Sequence, residues 1–279
     1  MTGSSREPTA YLTPVGDPGL FGPNTVTWQV HAHFVSMLVG GLSSLLIQAL
    51  HPGALAGVWD HSNFRHDLRS RLGRTAYFIA ATTYGGTEMA KQAIETVNTI
   101  HDRVQGKRPD GMPYSARDPH LLRWVHLAEV ISFLRAYCTF GDPALPLFCR
   151  DQYIDEMRRI GHALGANDLP ETIAQAQAQL AEYESELVVD QRVREILRLI
   201  ENFPARKRDK PFVRLIVQAA FDLLPDWVLE KIERPRAPIW RQKLNQQLLL
   251  LASVPIDWSL STEGVSAHAK RRVAATQQI

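Results

Sequence analysis

Histidines on apolar helix faces are the residues of this sequence whose types and spacing best suit a metal site. His31, His101 and His126 each fall on or beside a stripe of apolar residues that recurs every three to four positions. A neutral imidazole is the commonest metal ligand in proteins. A histidine in such a place is, however, more often a hydrogen-bonded core residue, so both interpretations of each histidine stay open at this point.

Arg71, Arg74 and Thr75 form a second group with chemical potential. Their three- and four-residue spacing places them on one face of a predicted helix. Guanidinium groups bind carboxylates through paired hydrogen bonds. The spacing therefore predicts either a buried site for an anion or a polarised oxygen, or an ordinary exposed basic face.

Several common enzyme motifs are absent from the sequence. It has no GxGxxG stretch, P-loop, GxSxG or HExxH motif, which excludes the usual nucleotide-binding and zinc-protease classes.

The net charge of +2 does not favour nucleic acid as a partner. Clusters of basic residues nevertheless indicate a solvated surface or peripheral contact with an anionic membrane: Arg206, Lys207, Arg208 and Lys210; Arg234, Arg236, Arg241 and Lys243; Lys270, Arg271 and Arg272.

The elements that must position these residues are helices. A first helix is predicted over residues 25–50, ended by His51-Pro52, and a connector over residues 53–67. Helices over residues 68–83 and from Thr87 follow, with His101 in the last turn of the second. A loop over residues 107–117 leads to Asp118-Pro119, a strong start for the helix that carries His126.

The fold class that follows is all-α, because almost no segment alternates with a period of two. We expect a flexible arm over residues 1–24, one helical domain over residues 25–258 and a weakly ordered tail over residues 259–279. Residues 25–59 carry no charge and are interpreted as core rather than a membrane span. Two unpaired cysteines and no signal peptide predict a cytoplasmic location, with possible peripheral membrane contact.

Four stretches together resemble a known family. They are HPGALAGVWDHSNF from His51, RLGRT from Arg71, IHDRVQGKRPDGMPYSARDPHLLRWVH from Ile100 and SFLRAY from Ser132. In order and spacing they are similar to the family that joins latex clearing proteins, which are rubber oxygenases, to the endoplasmic-reticulum oxygenase MpaB. The resemblance spans roughly residues 30 to 250.

The resemblance implies a globin-like core of roughly eight to ten helices and a haem b cofactor. It assigns His101 as the axial ligand of the iron, and Arg71, Arg74 and Thr75 as the polar groups that face bound dioxygen or the haem propionates. The implied activity is oxygenation of a small apolar substrate, of isoprenoid or lipid-like kind. Five apolar residues are expected to enclose the macrocycle: Phe34, Leu38, Phe78, Val97 and Phe133.

The chain departs from latex clearing proteins at two positions. Latex clearing proteins have lysine in place of Arg74. A neutral lysine can coordinate iron, whereas arginine stays protonated and does not readily do so. They also use a carboxylate upstream of the arginine motif, where residues 55–59 hold none and Asp60 is the nearest. These differences argue against cleavage of a polyisoprene by the same route. The alternative is a non-catalytic helical module that binds haem or lipid, or one that associates with membranes.

Overall fold

The architecture comes from a computed structural model, which describes residues 7–65 and 67–275. The described residues form thirteen α-helices and one small β-hairpin, which confirms the all-α prediction. The helices are α1 Val26–Ala32, α2 Phe34–Gln48, α3 Pro52–His61, α4 Leu68–Tyr84, α5 Thr87–His101, α6 Pro119–Phe140, α7 Leu147–Leu164, α8 Ile173–Glu182, α9 Gln191–Glu201, α10 Lys210–Asp222, α11 Asp226–Lys231, α12 Ile239–Glu263 and α13 Val265–Ala274.

The centre of the molecule is the pair formed by α2 and α6. Both helices are rich in residues that are almost fully buried, and α6 begins where Asp118 accepts a hydrogen bond from the backbone N–H of His120 at 2.9 Å. Gly40 permits the close approach of the two helices, because a Cβ at this position would lie only 2.9 Å from the ring of Phe133. Seven other helices pack on this pair: α1, α3, α7, α8, α9, α10 and α12.

The predicted single helix over residues 25–50 is wrong, because the chain bends by 91° between α1 and α2. His33 at the break has an extended backbone, and its Nδ1 atom accepts the N–H of Ser36 as the N-cap of α2. Among the described residues no single helix is long and apolar enough to cross a membrane, although the bent pair α1–α2 meets the test of length and composition when taken together.

Two further segments differ from expectation. The connector predicted over residues 53–67 is largely helical, since Pro52 opens α3 and His51 caps it. The loop predicted over residues 107–117 contains the antiparallel strands β1 Gln105–Lys107 and β2 Pro113–Ser115, paired with Gly106 opposite Tyr114. The structure has thirteen helices instead of eight to ten for three reasons. The break at His33 divides one predicted helix into two, and α3 and α13 were not predicted.

Both terminal segments pack on the domain where the structure describes them. A short 3-10 helix, Pro8–Leu12, contacts α13. Arg272 of α13 is only 1% exposed and donates to the backbone carbonyls of Tyr11 and Tyr84. The segment over residues 259–275 contains the end of α12 and the whole of α13. The division of the chain at residues 24 and 258 stays a prediction, and residues 1–6 and 276–279 lie outside the described residues.

Asp17, in the segment before α1, ties this end of the chain to α5. Its carboxylate accepts the backbone N–H of Thr87 at 2.6 Å and the Thr87 hydroxyl at 2.7 Å. A carboxylate at this place satisfies a free amide of the first turn and favours the helix dipole. The residues before α1 therefore help to fix the helix that carries His101.

Candidate functional site

A cavity of about 440 Å³ lies among α2, α3, α4, α5, α6 and α9. Its volume is within the range of about 300–1,000 Å³ that is usual for ligand and cofactor sites. The walls are mostly aliphatic, and His101, Arg71 and Arg74 all line it. Three of the four predicted site residues therefore meet at one cavity.

His101 occupies the last residue of α5 and is partly buried. Its Nδ1 atom is buried and has no hydrogen-bond partner among the described residues. Burial, and secondarily the charge of Arg117, lower the pKa of the imidazole below its usual value, which favours the neutral ring. A neutral ring with an unsatisfied nitrogen at a cavity wall is suited to binding a metal ion.

The two arginines approach the same cavity from α4. Arg71 donates to the hydroxyl of Ser62 at 3.2 Å, and Arg74 donates to the hydroxyl of Ser70 at 3.0 Å. Within the part of the chain that the structure describes, these are their side-chain hydrogen bonds, and neither guanidinium forms an ion pair with a carboxylate. Burial, together with the neighbouring charge of Arg74, lowers the pKa of Arg71. Two close cations without an acidic partner favour binding of an anion.

Thr75 is the predicted site residue that does not line this cavity. Its hydroxyl donates to the carbonyl of Arg71, one turn earlier in α4, at 3.4 Å. Such a bond to the preceding turn is common for threonine inside a helix. The structure therefore places Thr75 on the helix that carries the arginines but not among the groups that face the cavity.

A second cavity of about 50 Å³ lies behind His101, which lines both spaces. It also contains His31, His126 and Glu129. Burial lowers the pKa of His31 to about 3 and that of His126 to about 4, and it raises the pKa of Glu129 to about 7. His31 contacts the hydroxyls of Thr83 and Tyr153 through its two ring nitrogens, at 2.8 and 3.0 Å, so it is a hydrogen-bonded core histidine.

Glu129 is a residue that sequence reasoning missed. It lies three residues after His126 and four before Phe133, both of which belong to the apolar stripe of α6. An acidic residue inside an apolar stripe is the signal that could have identified it. Glu129 adds an ionisable group on the far side of His101, where the sequence had indicated only histidines.

The apolar walls differ from those expected. Phe78 and Phe133 line the smaller cavity, whereas Phe34, Leu38 and Val97 line neither of these two spaces. The larger cavity is instead walled by aliphatic residues that include Leu45, Leu55, Val58, Leu121, Val125 and Ile196.

Asp60, the carboxylate nearest to residues 55–59, is hydrogen-bonded to Tyr114. Tyr114 lines the larger cavity, and its hydroxyl donates to Asp60 Oδ2 at 2.7 Å. Burial, and then the bond to Asp60, raise the pKa of Tyr114 to about 12. Tyr114 therefore remains a protonated hydroxyl at neutral pH.

His51, His120 and Glu186 form a separate cluster whose ligand atoms lie within 4.8 Å of one another. The two histidines contact Glu186 at 3.2 and 2.9 Å. His51 Nδ1 accepts the N–H of Gly53 at 3.1 Å, so its Nε2 carries the proton and donates to Glu186. A metal ion at Nε2 of His51 would need the lone pair of that nitrogen. The proton would then have to sit on Nδ1, which could no longer accept the N–H of Gly53. We therefore interpret the cluster as a hydrogen-bonded cap for α3.

One family of known proteins matches most of the chain. The sequence model of the family described as "ER-bound oxygenase mpaB/B'/Rubber oxygenase, catalytic domain" matches residues 28–253, a range that includes every residue lining the larger cavity. No curated protein and no solved structure matches the chain significantly. Because the match covers well over half of the sequence, the chain belongs to the family of mpaB and rubber oxygenase catalytic domains.

Proposed function

We propose that the protein is a haem b-dependent oxygenase acting on a small apolar substrate. The observation that carries this proposal is the meeting of His101, Arg71 and Arg74 in one aliphatic cavity. The family is one of oxygenase catalytic domains, which supports an enzyme of this general class. The cofactor, the residue roles and the substrate class belong to the proposal.

The donor set fits a haem group. An imidazole with an unsatisfied buried nitrogen can hold the iron, and two unpaired guanidinium groups can hold propionates. Under this proposal His101 is the iron ligand, and Arg71 and Arg74 bind propionates or face the oxygen side. Haem, when bound, supplies the iron centre at which dioxygen is activated.

The chain's own residues set the environment of that chemistry. The aliphatic walls exclude water and favour an apolar substrate. A guanidinium group offers hydrogen-bond donors and no acceptor, so Arg74 donates hydrogen bonds and leaves the iron to His101. Glu129, whose pKa is raised to about 7 by burial, holds an exchangeable proton behind His101.

The role of the arginines can be tested with a modified cofactor. Arg71→Ala and Arg74→Ala should each weaken haem binding by about 10- to 100-fold, because each removes charged hydrogen bonds to a carboxylate. The same variants should bind haem dimethyl ester, whose propionates are neutral, as the unmodified protein does. The measurement is an absorbance titration with each cofactor. Equal losses for both cofactors would contradict the propionate role.

The oxygenase proposal is separated from a non-catalytic haem-binding module by oxygen consumption. The haem-loaded protein should consume dioxygen when apolar isoprenoid or lipid-like compounds are added, and oxygenated products should appear by mass spectrometry. A stable haem complex without oxygen uptake from any such compound would favour the module.

A further inference from the structure

Helix α12 carries an apolar stripe on its outer side. Six residues spaced three or four positions apart are exposed along it: Trp240, Leu244, Leu248, Leu251, Val254 and Trp258. The opposite side, with Asn245, Leu249 and Ser253, is buried against the protein. At a rise of about 1.5 Å per residue the stripe is about 27 Å long. Trp240, which is 63% exposed, stands at one end, and Trp258, which is 74% exposed, stands at the other.

The stripe is free of charge over most of its length. Between Leu244 and Trp258 the exposed side chains are apolar apart from Gln247. Asp257, the acidic residue in this interval, is partly buried and accepts a hydrogen bond from Ser253 at 2.7 Å. An apolar surface of this extent on a monomer usually marks an interaction site.

Basic residues flank the stripe. Arg241 and Lys243 are exposed at its start. Helix α10 runs antiparallel to α12, because Arg236 donates to the carbonyl of Asp222 and Asn245 donates to the carbonyl of Leu215. The start of α10 therefore lies level with about residue 250 of α12. An exposed basic run stands at this level, which is also that of the middle of the stripe: Arg206, Lys207, Arg208 and Lys210.

We propose that the α12 stripe docks on the surface of an anionic lipid bilayer. A helix with tryptophan and leucine on one side and lysine and arginine beside it lies in the plane of a membrane interface, where the basic groups contact anionic headgroups. Antiparallel pairing of two α12 helices about the stripe's midpoint would bring the two basic runs together, which disfavours a second copy as the occupant. This surface does not depend on the haem proposal.

Vesicle flotation tests the proposal directly. The protein should float with vesicles of phosphatidylcholine containing about 30% phosphatidylserine, and far less with phosphatidylcholine alone. Leu251→Gln and Trp258→Gln should each reduce binding about tenfold or more, since each withdraws a large apolar group from the bilayer. Met112→Gln, at an exposed apolar residue in the β-hairpin turn, is the matched control and should bind normally.

A charge variant and a mass measurement complete the design. Lys207→Glu combined with Lys210→Glu should abolish the preference for anionic vesicles while circular dichroism stays unchanged. The proposal is overturned if the unmodified protein fails to float, if the stripe variants float as well as Met112→Gln, or if neutral vesicles bind equally. It is also overturned if light scattering detects a dimer that Leu251→Gln dissociates, because a second copy then covers the stripe.

Discussion

At the scale of single residues, Glu129 makes a prediction about pH. Burial raises its pKa from 4.5 to about 7, so the folded protein binds this proton more tightly than the unfolded chain does. Ionisation therefore destabilises the fold as the pH rises from about 4.5 to about 7. Glu129→Gln should match the unmodified protein in stability at pH 4 and exceed it by about 1–3 kcal/mol at pH 8.

Urea unfolding at the two pH values measures this difference. Glu95→Gln, on the exposed side of α5, is the control and should change little at either pH. A loss of stability in Glu129→Gln at pH 8 would mean that the ionised carboxylate makes favourable contacts in the fold. That outcome would remove Glu129 as a proton-holding group behind His101.

At the scale of elements, Arg272 decides whether α13 is an integral part of the fold. It is buried, and it donates to the carbonyls of Tyr11, Asp17, Tyr84 and Gly85. Arg272→Ala leaves these acceptors without their partner and should cost about 3–5 kcal/mol in the free energy of unfolding. The exposed neighbour Lys270→Ala should cost less than about 0.5 kcal/mol. Equal effects of the two variants in denaturant unfolding would show that α13 contributes little.

Local patterns predicted some elements and missed others for physical reasons. The start of α6 and the position of His101 depend on capping and periodicity, which are local, and the structure has α6 starting at Pro119 and α5 ending at His101. The bend at His33 and the burial of Arg272 depend on contacts between distant segments, which one sequence does not display. The meeting of His101 with Arg71 followed from family resemblance rather than from spacing.

At the scale of the whole molecule, buried neutral histidines make the fold sensitive to acid. The pKa values of His31 and His126 are lowered by burial to about 3 and about 4, below the value of 6.5 expected in the unfolded chain. Their contribution to stability is therefore complete above pH 6.5 and is lost as the pH falls toward 4. Measured stability should decline over this range, and His126→Gln should decline less steeply. A parallel decline in the two proteins would contradict this account.

The central claim, that His101 holds a haem, is tested most directly by the absorbance spectrum after haem is added. The unmodified protein should develop an intense Soret band with one haem per chain. His101→Ala should lose most of that band while its circular dichroism stays helical, whereas His51→Ala and His126→Ala should retain it. Added imidazole should partly restore the band in His101→Ala. Retention of the band in His101→Ala with its loss in His126→Ala would contradict the ligand assignment, and no band in the unmodified protein would contradict the haem proposal itself.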